Sequence, residues 1–292
     1  MTILHVRHKT AYSYKQPVEF GEHRLMSRPR DSHDLRLIDT ALVIDPPASA
    51  LRWMHDVFGN SIVIATFQGA SAALTFESSF RAEHFPAAEK EIGIEAYAQT
   101  FPFSYSADDA LDLGHTKERH YPDPAHKIDA WAKAQVEKSP TGSTLEVLAS
   151  MTRDIKQQFT YAARNAEGTQ SPLETLELGT GSCRDLVLFM MEAVRSLGLA
   201  ARFVSGYLYD EKLIGARSGL LGDGATHAWL QVFLPGAGWV EIDPTNAQIG
   251  GRNLIRVAVT RDPAQAIPLN GSFTGPTDAF VSMRVEVQVT TE

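Results

Sequence analysis

The residue most able to do chemistry is also the scarcest. The 292-residue chain contains a single cysteine, Cys183. It follows Gly179, Thr180, Gly181 and Ser182, and it precedes an amphipathic run over residues 185–197 that ends at Gly198. This spacing predicts a helix with Cys183 at, or one residue inside, its N-terminus. Unpaired N–H groups and the helix dipole stabilise an anion there, and a thiolate is such an anion. The preceding glycines let the backbone approach a substrate carbonyl. The Cys183 N–H is then placed to donate to the oxyanion formed on attack. A lone cysteine is more often a small core residue, so Cys183 by itself does not decide between the two.

Two further residues make the arrangement more specific. His227 opens the apolar run 227–234. Alternation there places His227, Trp229 and Gln231 on one face and Ala228, Leu230 and Val232 on the other. Any one of the ten histidines is an ordinary surface residue until something partners it. Asp243 ends the next run, 239–243, and Pro244 stops it. The short Pro235-Gly236-Ala237-Gly238 connection makes the two runs antiparallel neighbours. His227 then lies near Asp243, where a carboxylate can hold an imidazole. An Asp before Pro is also a common turn residue. The joint pattern of helix-start Cys, strand-start His and strand-end Asp is not common.

The elements that must carry these residues read as follows. The first hundred residues alternate with period two at 3–8, 35–44, 51–56, 61–67 and 72–83, with Phe58-Gly59-Asn60 as a turn. That is a β-rich, sandwich-like region. A Pro-containing stretch, 101–124, reads as a linker or irregular crossing. Helices are expected over 124–138 and 143–159, the second opened by the capping box Ser143-Thr144-Leu145-Glu146. A loop over Gly168, Pro172 and Gly179 leads to the Cys183 helix, and strands follow at 200–208, 227–234 and 239–243. The tail, 281–291, alternates again. The pattern is α+β, with a β-rich domain at 1–105 and a catalytic domain at 106–292.

Composition narrows the alternatives. Hydrophobic residues make up 43% and charged residues 21%, the balance of a globular protein. A net charge of -8 argues against sequence-independent nucleic-acid binding and against an anionic membrane surface. The opening residues carry His5, Arg7, His8 and Lys9 and read as neither a secretory leader nor a membrane span. One cysteine allows no internal disulfide, so a cytoplasmic location is the default expectation.

Several ordered blocks resemble the transglutaminase-like cysteine enzymes of bacteria. They are Gly181-Ser182-Cys183-Arg184-Asp185, Arg195-Ser196-Leu197-Gly198, Ala201-Arg202-Phe203-Val204-Ser205-Gly206-Tyr207, Thr226-His227-Ala228-Trp229 and Gly238-Trp239-Val240-Glu241-Ile242-Asp243-Pro244-Thr245-Asn246. They span about residues 150–270. Tyr12-Ser13-Tyr14, Pro17-Val18, Arg24-Leu25, Arg28-Pro29-Arg30 and Phe58-Gly59-Asn60 resemble the β-rich N-terminal region of the same bacterial group. The resemblance implies a papain-like α+β core with Cys183 as nucleophile, His227 as base and Asp243 as orienting carboxylate. Two departures stand out. Arg184 occupies a position where many relatives carry Gln, and Val259-Thr260-Arg261-Asp262-Pro263 replaces the usual Gly-Arg-Asp-Tyr.

These readings imply acyl transfer on a peptide or protein amide through a Cys183 thioester. Hydrolysis is favoured over transfer to an amine, with a non-catalytic peptide-binding protein as the third reading. Arg184 either binds a substrate carboxylate or forms a structural ion pair. Trp229, Trp239 and Tyr207 are expected cleft walls, with ordinary core packing as the rival. The Gly-rich stretch 215–224 is expected to shape or gate the cleft. No HExxH or DxDxDG pattern is present, so no metal or other cofactor is expected. A homo-oligomer is compatible with the sequence, and the β-rich region could bind substrate, dimerise or only buttress the core.

Overall fold

The structure, a computed structural model, describes residues 2–85, 92–164, 168–209 and 226–291. The N-terminal half supplies β1 (Thr2–Arg28), β2 (Leu35–Asp45), β3 (Ala50–His55), β4 (Ser61–Thr66) and β5 (Ala70–His84). Helices α1 (Ala107–Leu113), α2 (Lys127–Glu137) and α3 (Thr144–Gln158) follow, then β6 (Thr160–Tyr161), α4 (Pro172–Leu178), β7 (Thr180–Gly181) and α5 (Cys183–Ser196). The last elements are β8 (Ala201–Leu208), β9 (Thr226–Leu234), β10 (Gly238–Asp243), β11 (Gln248–Ile249), β12 (Leu254–Thr260), β13 (Leu269–Thr274) and β14 (Phe280–Thr291).

The β-rich region is organised by one long strand. Residues 4–13 of β1 lie between β5 and β14, and residues 23–25 lie between β4 and β13. The register shifts along β1 between Ser13 and Val18, so the strand serves two halves of one seven-stranded sheet. Such irregularities bend a strand and increase its twist. Tyr14, Val18, Phe20, Leu25, Val63, Ala65, Leu74 and Phe76 pack together between the halves, which gives the region its sandwich character.

This topology changes the expected division of the chain. The tail was assigned to the second domain, yet β13 and β14 both pair with β1. The β-rich region is therefore closed by the C-terminus. Alternation in residues 281–291 signals a strand but carries no information about its partner. The 101–124 stretch also contains more order than a linker, since it holds α1, whose N-cap Ser106 accepts from Asp109 N at 3.0 Å.

The second core is built on α5. Leu186, Val187, Phe189, Met190, Ala193 and Val194 are buried against α2, α3 and one face of the five-stranded sheet β11-β10-β9-β8-β12. That face presents Ala201, Phe203, Ala228, Leu230, Val232, Val240 and Ile242. α5 carries charge through this core: Glu192 and Arg195 have fully buried side chains and pair at 2.9 Å. Glu192 also accepts from Arg119 Nε (3.0 Å) and from the backbone of His120 and Tyr121. Residues 119–121 are thereby held against α5.

The two parts are fastened to each other. Leu4, Val6, Phe80, Tyr207, Tyr209, Ile255 and Val287 form one apolar cluster across the junction. Asn60, the last residue of the Phe58-Gly59-Asn60 block, donates to Val259 O at 2.7 Å and accepts from Val259 N at 2.8 Å. Arg256 reaches Asp34 with two contacts of 3.0 Å. The segment that departs from the family pattern also has structural work: Arg261 O accepts from Arg195, and Asp262 accepts from the Tyr121 hydroxyl at 2.9 Å.

Candidate active site

Cys183 is the first residue of α5, with Ser182 as N-cap. As the first helical residue, its N–H has no intrahelical acceptor. Asp185, fully buried in the first turn, sets the approach to the helix. Its Oδ2 accepts from Ser182 N and Ser182 Oγ at 2.8 Å, and its Oδ1 accepts from Arg164 Nη1 (2.8 Å) and Gln170 N (2.7 Å). A Cβ on Gly181 would lie 2.8 Å from Asp185 Cβ, so the close turn requires glycine there. On the other side, β6 runs parallel to β7 and sets Tyr161 opposite Gly181.

His227 and Asp243 meet as the hairpin geometry predicts. β9 and β10 are antiparallel, and His227 Nε2 lies 2.8 Å from Asp243 Oδ2. Both side chains are fully buried. Asp243 is itself oriented: Thr245 N donates to Oδ1 at 2.9 Å, and Asn246 Nδ2 donates to Oδ2 at 2.8 Å. The turn role and the imidazole-holding role of this aspartate therefore coincide. The other ring nitrogen, Nδ1, is buried and has no nitrogen or oxygen hydrogen-bond partner among the described residues. Burial alone would lower the imidazole pKa. The Asp243 charge and hydrogen bond, with Cys183 adding to them, outweigh it and push His227 up to about 10. Cys183 thus acts on the ring both through its charge and through a side-chain hydrogen bond, each of which favours the imidazolium. Such contacts commonly tighten only when substrate is bound.

The ring plane of His227 is fixed from behind. It stacks on Trp229, with centroids 6.1 Å apart and planes inclined by 27°. Trp229 is fully buried, and its Nε1–H donates to Glu241. Glu241 also accepts from Gln231 Nε2 (2.6 Å) and Arg256 Nη1 (2.7 Å). Burial pushes the Glu241 carboxyl above its ordinary range, against these bonds. Opposite His227 on β8 stands Gly206, and an added Cβ there would lie 2.1 Å from Ile255 O and 2.6 Å from Trp229 Cη2. We expect Gly206→Ala to cost about 1–3 kcal/mol by overpacking and to slow alkylation of Cys183 by displacing the Trp229–His227 stack. Denaturant unfolding and iodoacetamide kinetics check both, and wild-type values in each would contradict the packing argument.

The expected cleft walls are distributed differently. Tyr207 is not in the cleft. Its hydroxyl pairs with His8 Nδ1 at 2.9 Å in the junction between the two parts, because the far end of β8 is covered by the β-rich region. Trp229 is fully buried behind the histidine and presents no surface to a substrate. Trp239 is partly exposed, carries the Arg202 guanidinium 4.1 Å above its ring, and lines a separate cleft of about 900 Å³ between the sheet and the β-rich region, whose walls do not include Cys183, His227 or Asp243. Arg184 is occupied: it donates to Pro263 O at 2.6 Å and lies 5.0 Å over the Phe203 ring. That is a structural engagement, though with a carbonyl and a ring instead of an acid.

Tyr161, Asn246 and Asp185 also stand against the candidate triad: Tyr161 opposite Gly181, Asn246 on Asp243 and Asp185 on Ser182. Burial and the nearby Cys183 charge raise the Tyr161 phenol above its ordinary range. A two-residue strand leaves no periodic signal, whereas Asn246 was legible as the third residue after Asp243. The Gly-rich stretch 215–224 lies outside the described residues. Among the described residues, no group of three or more His, Cys, Asp or Glu could hold a metal ion. Among them, too, no helix is long and apolar enough to cross a membrane.

This combination of folds and site defines a bacterial transglutaminase-like protein. Residues 4–83 match the bacterial transglutaminase-like N-terminal region, and residues 129–244 match the transglutaminase-like superfamily core. The chain is 28% identical to an uncharacterized protein of Mycobacterium tuberculosis strain H37Rv, over 97% of this chain and 91% of that protein. It is 24% identical to one of Mycobacterium leprae, over 97% and 98% respectively. The same fold occurs in a candidate cysteine protease from Cytophaga hutchinsonii, with a TM-score of 0.68 at 16% identity, covering 99% of this chain and 90% of that one.

Proposed function

We propose that this protein is a cysteine hydrolase that cleaves an amide bond of a peptide or protein through a Cys183 thioester. The observation that carries the reading is the joint placement of Cys183 at the start of α5 and of a buried, Asp243-bound His227 whose Nδ1 has no other partner. With its pKa pushed up to about 10, His227 is an imidazolium at neutral pH, the form that can give a proton to a departing amine.

The thiolate attacks the amide carbon, the carbonyl π electrons move onto oxygen, and the Cys183 N–H donates a hydrogen bond to the oxyanion that forms. Collapse of this intermediate breaks the C–N bond, and His227 gives its proton to the departing amine. A water molecule then attacks the thioester carbon while His227 takes its proton. Collapse releases the carboxylic acid and restores the thiolate and imidazolium. Asp243 keeps the ring oriented through both halves. Transfer to an amine in place of water uses the same groups.

Incubation with a glutamine-containing peptide and a primary amine, followed by mass spectrometry, separates the two outcomes. We expect a hydrolysed product, by deamidation or chain cleavage. An amine adduct in its place would make the protein a transferase, and neither product across a varied peptide set would remove the enzymatic reading.

A further inference from the structure

β14 is an edge strand of unusual sequence. It is twelve residues long and hydrogen-bonds to β1 along one side. Among the described residues, nothing pairs with its other side. Its outer part is apolar and open to solvent: Val281 is 55% exposed, Met283 54% and Val285 41%. Val287 and Val289, on the same face, pack into the junction cluster. A long, exposed, apolar edge is a template for pairing with another strand, and natural proteins rarely leave one uncovered.

The sequence of β14 says which strand would fit. From Val281 to Val289 it reads Val-Ser-Met-Arg-Val-Glu-Val-Gln-Val. Antiparallel pairing of this segment with itself, centred on Val285, sets Arg284 opposite Glu286 of the partner subunit, and the reverse pair follows by symmetry. Met283 falls opposite Val287 of the partner subunit, Val281 opposite Val289 of the partner subunit, and Ser282 opposite Gln288 of the partner subunit. The exposed half of each apolar row is thus laid beside the buried half of the other. Shifting the centre by one residue brings Arg284 against itself or Glu286 against itself. Arg284 and Glu286 pair with each other at 2.8 Å within the strand, and shifting the centre by two leaves both without an opposite charge across the contact. Directly opposed like charges destabilise a strand pair, and opposite charges support it.

We propose that β14 is the interface between two copies of this chain, joined edge to edge about a two-fold axis through Val285. The contact is isologous, as closed dimers require, and it extends the β-rich sheet continuously across both subunits. It leaves Cys183, His227 and Asp243 outside the contact.

Sedimentation equilibrium on the full chain tests this. The wild type is expected to dimerise, and Arg284→Glu or Glu286→Arg alone is expected to weaken the dimer by about tenfold or more, since each sets two like-charge pairs across the axis. The double swap should restore association, and a mixture of the two single variants should form the heterodimer. Val285→Lys, which places two ammonium groups on the axis, should also give a monomer with an unchanged circular dichroism spectrum. A wild type that stays monomeric overturns the proposal. So does a dimer indifferent to these substitutions, or single variants that fail to complement each other.

Discussion

Cys183→Ala is expected to reduce turnover by roughly 10⁴-fold or more, to the level left by substrate binding and oxyanion stabilisation alone. The substitution deletes one sulfur atom from a side chain that is 7% exposed, so the stability cost is of order 1 kcal/mol and the circular dichroism spectrum should not change. Loss of activity with the fold intact separates a nucleophile from a core cysteine, and retained turnover would refute the thioester mechanism outright. The histidine supplies a second, graded reading of the same site. With its pKa pushed up to about 10, the imidazolium form persists through neutral pH and is lost only as pH rises through that value. Activity should therefore fall on the alkaline side near there. Asp243→Asn removes the charge that holds the proton on the ring, so the alkaline limit should move to lower pH as turnover drops. A limit that does not move would mean Asp243 serves only as the turn residue that Thr245 and Asn246 also make it.

The placement of the three proposed catalytic residues was legible in the sequence for physical reasons. Glycines followed by an amphipathic run mark a helix start, and Cys183 is the first residue of α5. Period-two alternation around a short connection fixes which residues of adjacent strands face each other, and that brings His227 to Asp243. What alternation cannot encode is which structure covers a face. Tyr207 is expected either as a cleft wall or as core packing, and the covering layer at that end of β8 is the β-rich region, where Tyr207 bonds to His8, 199 residues away. The same limit applies to the tail, whose strand character was evident and whose partner, β1, was not. β1 itself was read only over its first residues, because the irregularity between Ser13 and Val18 breaks the alternation while the chain continues as one strand. The supports of the site are long-range too. Glu241 holds Trp229 behind His227 from a neighbouring strand, and Tyr161 comes to Cys183 from a strand too short to show a period.

The least legible feature is the charge buried inside α5, and it carries the largest expected effect on stability. Glu192 looks like a surface residue of an amphipathic helix, yet its side chain and that of Arg195 are fully buried. One carboxylate receives the Arg195 guanidinium, the Arg119 Nε at 3.0 Å and two backbone N–H groups. Arg195 spends its other donors on the carbonyls of Thr116, Ala201 and Arg261, so it ties the 114–116 turn, the start of β8 and the end of β12 to the helix. Removing the acid leaves Arg195 without its paired counter-charge where water cannot reach it, while Arg119 keeps Asp129. Breaking a buried pair from one side costs about 3–5 kcal/mol, much more than the same pair contributes at a surface. Glu192→Ala should therefore destabilise the fold by that amount in denaturant unfolding, enough to consume much of the stability of an ordinary domain. Glu192→Gln retains acceptor capacity but not charge and should fall between. If instead Glu192→Ala unfolds like the wild type, Arg195 must find solvent or another acid, and the network is not what anchors α5. The consequence reaches the active site, because Cys183 is held in place by the same helix that Glu192 and Arg195 fasten at its other end.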